Sequence, residues 1–139
     1  MSPEQIQALP QGRFCQNGIQ NQLQFIGGLG VAAGLVGLAA PGLEKIGPLI
    51  FLAMGAALLR WRKRLAYVEI SGDLLTCTNV GLDTRRIRLD EHTSVRSIAG
   101  VPYVVQGKQR VQLLPVARFY EVFGSNNKEA EELLTGLGL

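Results

Sequence analysis

Histidine and cysteine are nearly absent from this chain of 139 residues: His92 is the one histidine, and the two cysteines, Cys15 and Cys77, stand far apart without CxxC spacing. Neither a zinc-ligand set nor a disulfide framework can be built from such a supply. Cys77 reads as a small apolar strand residue and His92 as a turn residue. Charge is also scarce, at 18% of residues, and its basic excess is confined to one place. Arg60, Arg62, Lys63 and Arg64 contribute four positive charges, whereas residues 65–139 hold eight Lys/Arg against nine Asp/Glu. A nucleic-acid binder spreads cations over a folded face with aromatics among them, so nucleic acid is disfavoured as a partner. A cluster suits a local partner such as anionic lipid headgroups.

The chain also lacks a nucleophile paired with a base. Its densest titratable group is Asp90-Glu91-His92, and adjacent turn residues do not point at a common substrate. Neither an enzyme nor a cofactor is expected.

What the chain has in quantity is apolar length. Residues 1–24 are rich in Gln and Asn, contain Pro3 and Pro10, and read as a polar arm. From Phe25 to Leu59 the only charges are Glu44 and Lys45, beside a turn at Pro41-Gly42. The expectation is a two-helix membrane hairpin over residues 25–61. Phe25–Leu43 gives about 28 Å of helix and Ile46–Trp61 about 24 Å, so the second span is short for a hydrocarbon core of roughly 30 Å. Local thinning and arginine snorkelling accommodate the shortfall. Trp61 and the cations Arg60, Arg62, Lys63 and Arg64 then form the interfacial anchor on the cytoplasmic side, where both termini are expected.

Gly27, Gly30, Gly34 and Gly37 line one face of the first helix, and Ala53 and Ala57 form a small-xxx-small pair in the second. Such faces let membrane helices approach closely. In water each helical glycine costs about 1 kcal/mol relative to alanine. Two look-alikes fail on context. Gly28 to Ala33 matches G-x-G-x-x-A, but no strand precedes it and no acidic residue lies about 20 positions on. A cleaved signal peptide ending near Ala39-Ala40 would need a basic n-region and would not be followed by a second apolar run.

From Ala66 the period changes to two. Strands are expected at 66–71, 74–79, 84–89, 95–99, 102–106 and 109–114, with turns at Gly72-Asp73 and Gly107-Lys108 and a further strand at 118–123. Arg86 and Arg88 alternate with Ile87 and Leu89. After this, Asn126 with Glu129 resembles a capping box, and Ala130, Leu133, Leu134 and Leu137 fall on one helical face.

The segment ISGDLLTCTNVGLDTRRIRLDEHTSVRSI, with the closing helix KEAEELLTGL, resembles the bacterial proteins that carry a pleckstrin-homology-like (PH-like) domain. The resemblance covers roughly residues 65–139. The arrangement of two membrane helices followed by such a domain is also similar to photosystem I assembly factors of cyanobacteria and chloroplasts. It implies an α+β chain: a transmembrane helical hairpin, then a small antiparallel PH-like sheet or barrel with a C-terminal helix. Phosphoinositide recognition does not carry over, because the first hairpin loop, Ser71-Gly72-Asp73, is acidic, and lipid headgroup recognition by the sheet is therefore disfavoured. The expected role is a membrane-anchored adaptor that binds lipid and a membrane protein and assists assembly of a complex. A small permanent subunit of a membrane complex, in the plasma or thylakoid membrane, is the second reading. Arg85, Arg86 and Arg88, on the one basic strand of the domain, are the candidate partner-binding residues.

Overall fold

The computed structural model describes residues 1–42, 44–79, 83–118 and 127–139. The chain is mixed α and β: helix α1 (Pro3–Gln7), strand β1 (Gly12–Phe14), helices α2 (Asn17–Ala39) and α3 (Ile46–Leu65), strands β2 (Tyr67–Ser71), β3 (Leu74–Thr78), β4 (Thr84–Arg88), β5 (Ser94–Ile98), β6 (Val101–Gln106) and β7 (Gln109–Gln112), a 3-10 turn (Leu114–Val116) and helix α4 (Lys128–Gly136). The chain divides into two compact units, one formed by residues 1–19 and 64–139 and the other by residues 20–63.

The first unit holds two antiparallel sheets, ordered β1-β2-β3-β4 and β5-β6-β7. Alternation decides which side chains enter the core. Val68 and Ile70 of β2 are buried opposite Cys77 and Leu75 of β3, while Tyr67 and Glu69 face outward. Val104 and Val111 supply the inner face of the second sheet, and α4 covers the core with Ala130, Leu133, Leu134 and Leu137. That helix starts at the N-cap Asn127, whose side-chain oxygen accepts a bond from the Glu129 N–H. The expected cap, Asn126, and the expected strand beyond Arg118 lie outside the described residues, as does Leu43, the expected end of the first helix.

The N-terminal segment is not the separate polar arm that its composition implies. Leu9 and Phe14 join the core, Met1 and Ile6 pack against it, and β1 pairs with β2 so that Gly12 lies opposite Ile70 and Phe14 opposite Val68. Gln16 explains how a Gln-rich stretch is held. Its side chain is 1% exposed, its amide nitrogen donates to the Val116 carbonyl, and its Oε1 accepts from the Asn127 N–H. A buried amide satisfied on both ends fixes the register of a segment that has little hydrophobic pattern of its own. The boundaries 1–24, 25–61 and 65–139 drawn from composition therefore give way to a β unit made from both sides of the helical pair. The helix itself begins at Asn17, eight residues before the apolar run, since Gln and Leu are good helix formers.

Candidate interaction surfaces

The second unit is an antiparallel pair of helices whose contact is made by glycines. A Cβ placed on Gly27 would meet Leu59; on Gly30, the Gly55 Cα; on Gly34, Leu52 and the Pro48 carbonyl; and on Gly37, the Pro48 ring. All four glycines expected to form a packing face do face the neighbouring helix. The matching face of α3 differs from the expected Ala53 and Ala57: Ala53 is exposed and Ala57 half-buried. The residue in contact is Gly55, where a Cβ would lie 2.6 Å from the Val31 nitrogen and 2.7 Å from the Gly27 carbonyl oxygen. Pro48, Leu52, Gly55 and Leu59 recur at steps of four, three and four, and that stripe turns toward α2. A backbone-to-backbone approach needs one glycine on each side, which two alanines cannot replace.

Apart from Leu23 and from Leu52 and Leu59 at the contact, the large apolar side chains of this pair are mostly turned outward. Among the described residues, all exposed large apolar side chains except Leu74 and Ile98 lie in residues 20–63. Phe25 is 67% exposed, Val36 70% and Met54 65%. The pairings Gly27 with Leu59 and Gly30 with Gly55 bring Phe25 level with Trp61. Both helices therefore change from apolar to polar at one level. Gln24 and Asn21 lie beyond it on α2, and Arg62 and Lys63 beyond it on α3. The apolar part from Phe25 to Ala39 is about 22 Å long, and Ile46 to Leu59 about 21 Å. By length and composition α2 is long and apolar enough to cross a membrane, the one such helix among the described residues. In α3 the closing cations interrupt the apolar run.

The cluster Arg60-Trp61-Arg62-Lys63-Arg64 occupies consecutive positions of α3. At 100° per residue these side chains surround the helix and form a collar about 7.5 Å deep, with no single cationic face. Arg62 turns back and donates to the Leu59 carbonyl at 2.7 Å. At the other end of the pair, the Lys45 ammonium donates to the carbonyls of Leu38 at 2.9 Å and Ala40 at 2.7 Å, so that its charge satisfies the C-terminus of α2.

In the β unit, the three arginines of β4 are not brought together. Arg86 and Arg88 face outward, and Arg88 pairs with Asp73 at 3.1 Å. Arg85 lies on the same side of the strand as Ile87. It pairs with Asp83 at 3.1 Å and donates to the Arg110 carbonyl, closing the gap between β4 and β7. Exposed pairs of this kind add little stability. The Asp90-Glu91-His92 turn is structural as well. One Asp90 oxygen accepts from the His92 N–H at 2.8 Å and the Thr93 hydroxyl at 3.1 Å, and the other from the Gln106 amide at 2.5 Å. Desolvation pushes this carboxyl up, but the bonds from Thr93, His92 and Gln106 together outweigh it and hold the group below the usual carboxylate range. Cys77 is buried, and desolvation, helped by Asp83, pushes its thiol up to about 12. Among the described residues, no three His, Cys, Asp or Glu side chains converge where a metal could sit.

A further surface has no counterpart in the sequence expectations. The outer face of the second sheet carries Arg96, Ile98, Tyr103, Val105 and Arg110 around a cavity of about 420 Å³. Strand parity already puts Arg96 with Ile98 and Tyr103 with Val105. The register that sets Arg96 opposite Tyr103 and Val105 opposite Arg110 comes from the structure. Comparison with protein-family models, with curated proteins and with solved structures finds no match to this chain.

Proposed function

We propose that the chain is a membrane-anchored, non-catalytic binding module. In this reading α2 and α3 sit in the bilayer as a hairpin, and the β unit, of PH-like type, lies on the cytoplasmic side with both termini and assists assembly of a membrane-protein complex. The observation that carries this reading is the inverted packing of residues 20–63, glycines inside and Phe25, Val36, Phe51 and Met54 outside. In water such an arrangement exposes apolar surface without return; in hydrocarbon it costs nothing, and close glycine packing supplies the association.

Two further features support it. The pairing of β1 with β2 joins the chain before α2 to the chain after α3, in keeping with a hairpin whose two ends emerge on one side of a bilayer. The collar Arg60–Arg64 surrounds its helix at the level of Phe25 and Trp61, the arrangement suited to a headgroup layer, and Lys45 is engaged by helix carbonyls at the opposite end. The apolar length falls roughly 8 Å short of a 30 Å core, a mismatch met by thinning and snorkelling.

Alkaline extraction of native membranes tests the anchor: the chain should stay in the pellet. Recovery as a detergent-free soluble monomer would sink the reading. Labelling of Cys15 by an impermeant thiol reagent from outside intact cells would reverse the topology. One observation favours the alternative of a permanent subunit. An apolar cavity of about 450 Å³ beside Gly30 and Gly55, walled by Ile26, Leu29, Phe51 and Met54, fits the side chains of a third helix. Stoichiometric co-purification in mild detergent identifies a subunit, and dissociation under the same conditions identifies an adaptor.

A further inference from the structure

The β5–β6 hairpin breaks a local rule. Two-residue turns of this kind, with positive φ at both central residues, favour Asn, Asp or Gly. Here Ala99 takes φ +52° and Gly100 φ +79°. The tip reads Ile98-Ala99-Gly100-Val101, with no polar side chain, and Ile98 is 62% exposed. A surface turn that gives up polar residues and accepts a strained alanine is organised for something other than water.

Behind the tip, on the same outer face, polarity returns in rows. Arg96 lies opposite Tyr103 in one row, and Arg110 lies opposite Val105 in the next. Arg96 and Arg110 are exposed, and no carboxylate pairs with either among the described residues. The sequence of chemistry along the hairpin is thus an apolar tip about two residues or ~7 Å deep, then an amphipathic tyrosine and a guanidinium, then a second guanidinium. That order matches the depth profile of an anionic lipid surface: acyl boundary, interfacial ring, phosphate layer.

We propose that this face of the second sheet docks on the surface of an anionic membrane, with Ile98 and Val101 inserted and Arg96 and Arg110 at the lipid phosphates. The inference rests on the membrane-anchored reading, since a tether supplies the bilayer at high effective concentration. Charge complementarity selects the lipid: two arginines and an apolar tip, with no acid on this face among the described residues.

The test uses the full chain reconstituted in vesicles, in a Cys15→Ser background. The buried Cys77 resists labelling, and a polarity-sensitive fluorophore is placed by Ile98→Cys, Met54→Cys or Lys128→Cys. In vesicles of phosphatidylcholine with phosphatidylglycerol, the probe at 98 should shift to the blue, and it should do so less in phosphatidylcholine alone. The probe at 128, on the exposed start of α4, should remain water-like in both. Arg96→Gln and Arg110→Gln should each lower partitioning of the tip about five-fold, the equivalent of ~1 kcal/mol per cation at the surface. If the 98 probe stays as wet as the 128 probe while the 54 probe is in hydrocarbon, the docking face is refuted and the anchor stands. A wet 54 probe overturns the anchor and the docking face together. Shielding of the 98 probe only after an extract of membrane proteins is added assigns the face to a protein and refutes the lipid.

Discussion

The two units of this chain use the same apolar alphabet in opposite ways. Residues 1–19 and 64–139 bury Leu75, Val104, Leu133 and Leu134 and present Arg13, Arg86 and Glu129 to the outside. Residues 20–63 bury Gly27, Gly34 and Gly55 and present Phe25, Val36 and Met54. In the β unit, cohesion comes from removing large side chains from water. In the helical pair the contact is made by two backbones brought together at glycines, the kind of packing that suits the apolar surroundings proposed for it. The difference teaches that burial alone does not identify a core: the size of the buried residues does.

This contrast can be broken most severely at Gly55. A Cβ there meets the backbone of Gly27, Gly30 and Val31, so Gly55→Leu should cost about 3 kcal/mol or more and separate the helices. Cysteine cross-linking between α2 and α3 reads the separation. Gly28 offers the control, because nothing lies within 4 Å of its added Cβ, and Gly28→Ala should be neutral or gain up to ~1 kcal/mol. Next in size is Leu133→Ala in α4, which opens a cavity in the β unit and should cost about 3 kcal/mol by denaturant titration, with the helix cross-linking unchanged. Equal sensitivity of both units to either substitution would abolish the distinction.

A smaller effect is expected at the strained turn. Ala99→Gly relieves a left-handed φ and should raise stability by roughly 0.5–1 kcal/mol in thermal unfolding. The smallest effect concerns Asp90. Its folded-state pKa is lowered, so its contribution is present above the unfolded carboxylate value of about 4 and is lost as pH falls through the lower folded value. Asp90→Asn should flatten the acid limb of the melting temperature below about pH 4, and an unchanged limb would show that the Thr93 and Gln106 bonds do not act through charge.

Much of this was legible from periodicity. The alternation Val68/Ile70 and the helical stripe Ala130, Leu133, Leu134, Leu137 gave the strand and helix faces, and the glycine spacing gave the face of α2. What escaped depended on long-range partners. Gln16 is polar and would be placed in solvent by any local rule, yet Val116 and Asn127 satisfy it inside. Gly55 lies more than two turns from Gly47, the other glycine of its helix, and becomes legible only when Gly30 is opposite. Arg96 and Arg110 are separated by two turns and a strand, and register alone makes them neighbours of Tyr103 and Val105. The arginines of β4 mislead in the reverse sense, because proximity in sequence divides Arg85 from Arg86 and Arg88 across a sheet.

The pairing of Gly12–Phe14 with Val68–Ile70 also governs the order of events during synthesis. The first strand of the sheet leaves the ribosome before either long helix, and its partner only after both. Until then Leu9 and Phe14 have no core to enter. Closing a segment of roughly fifty residues costs little more than closing a shorter one, since each doubling adds only about 0.6 kcal/mol, provided its ends can meet. A misplaced helix would hold those ends apart and leave the edge of β2 open. If α2 and α3 form the membrane hairpin proposed above, the three-residue strand is a clasp that shuts only when those helices have been threaded correctly, and maturation of the sheet records their insertion.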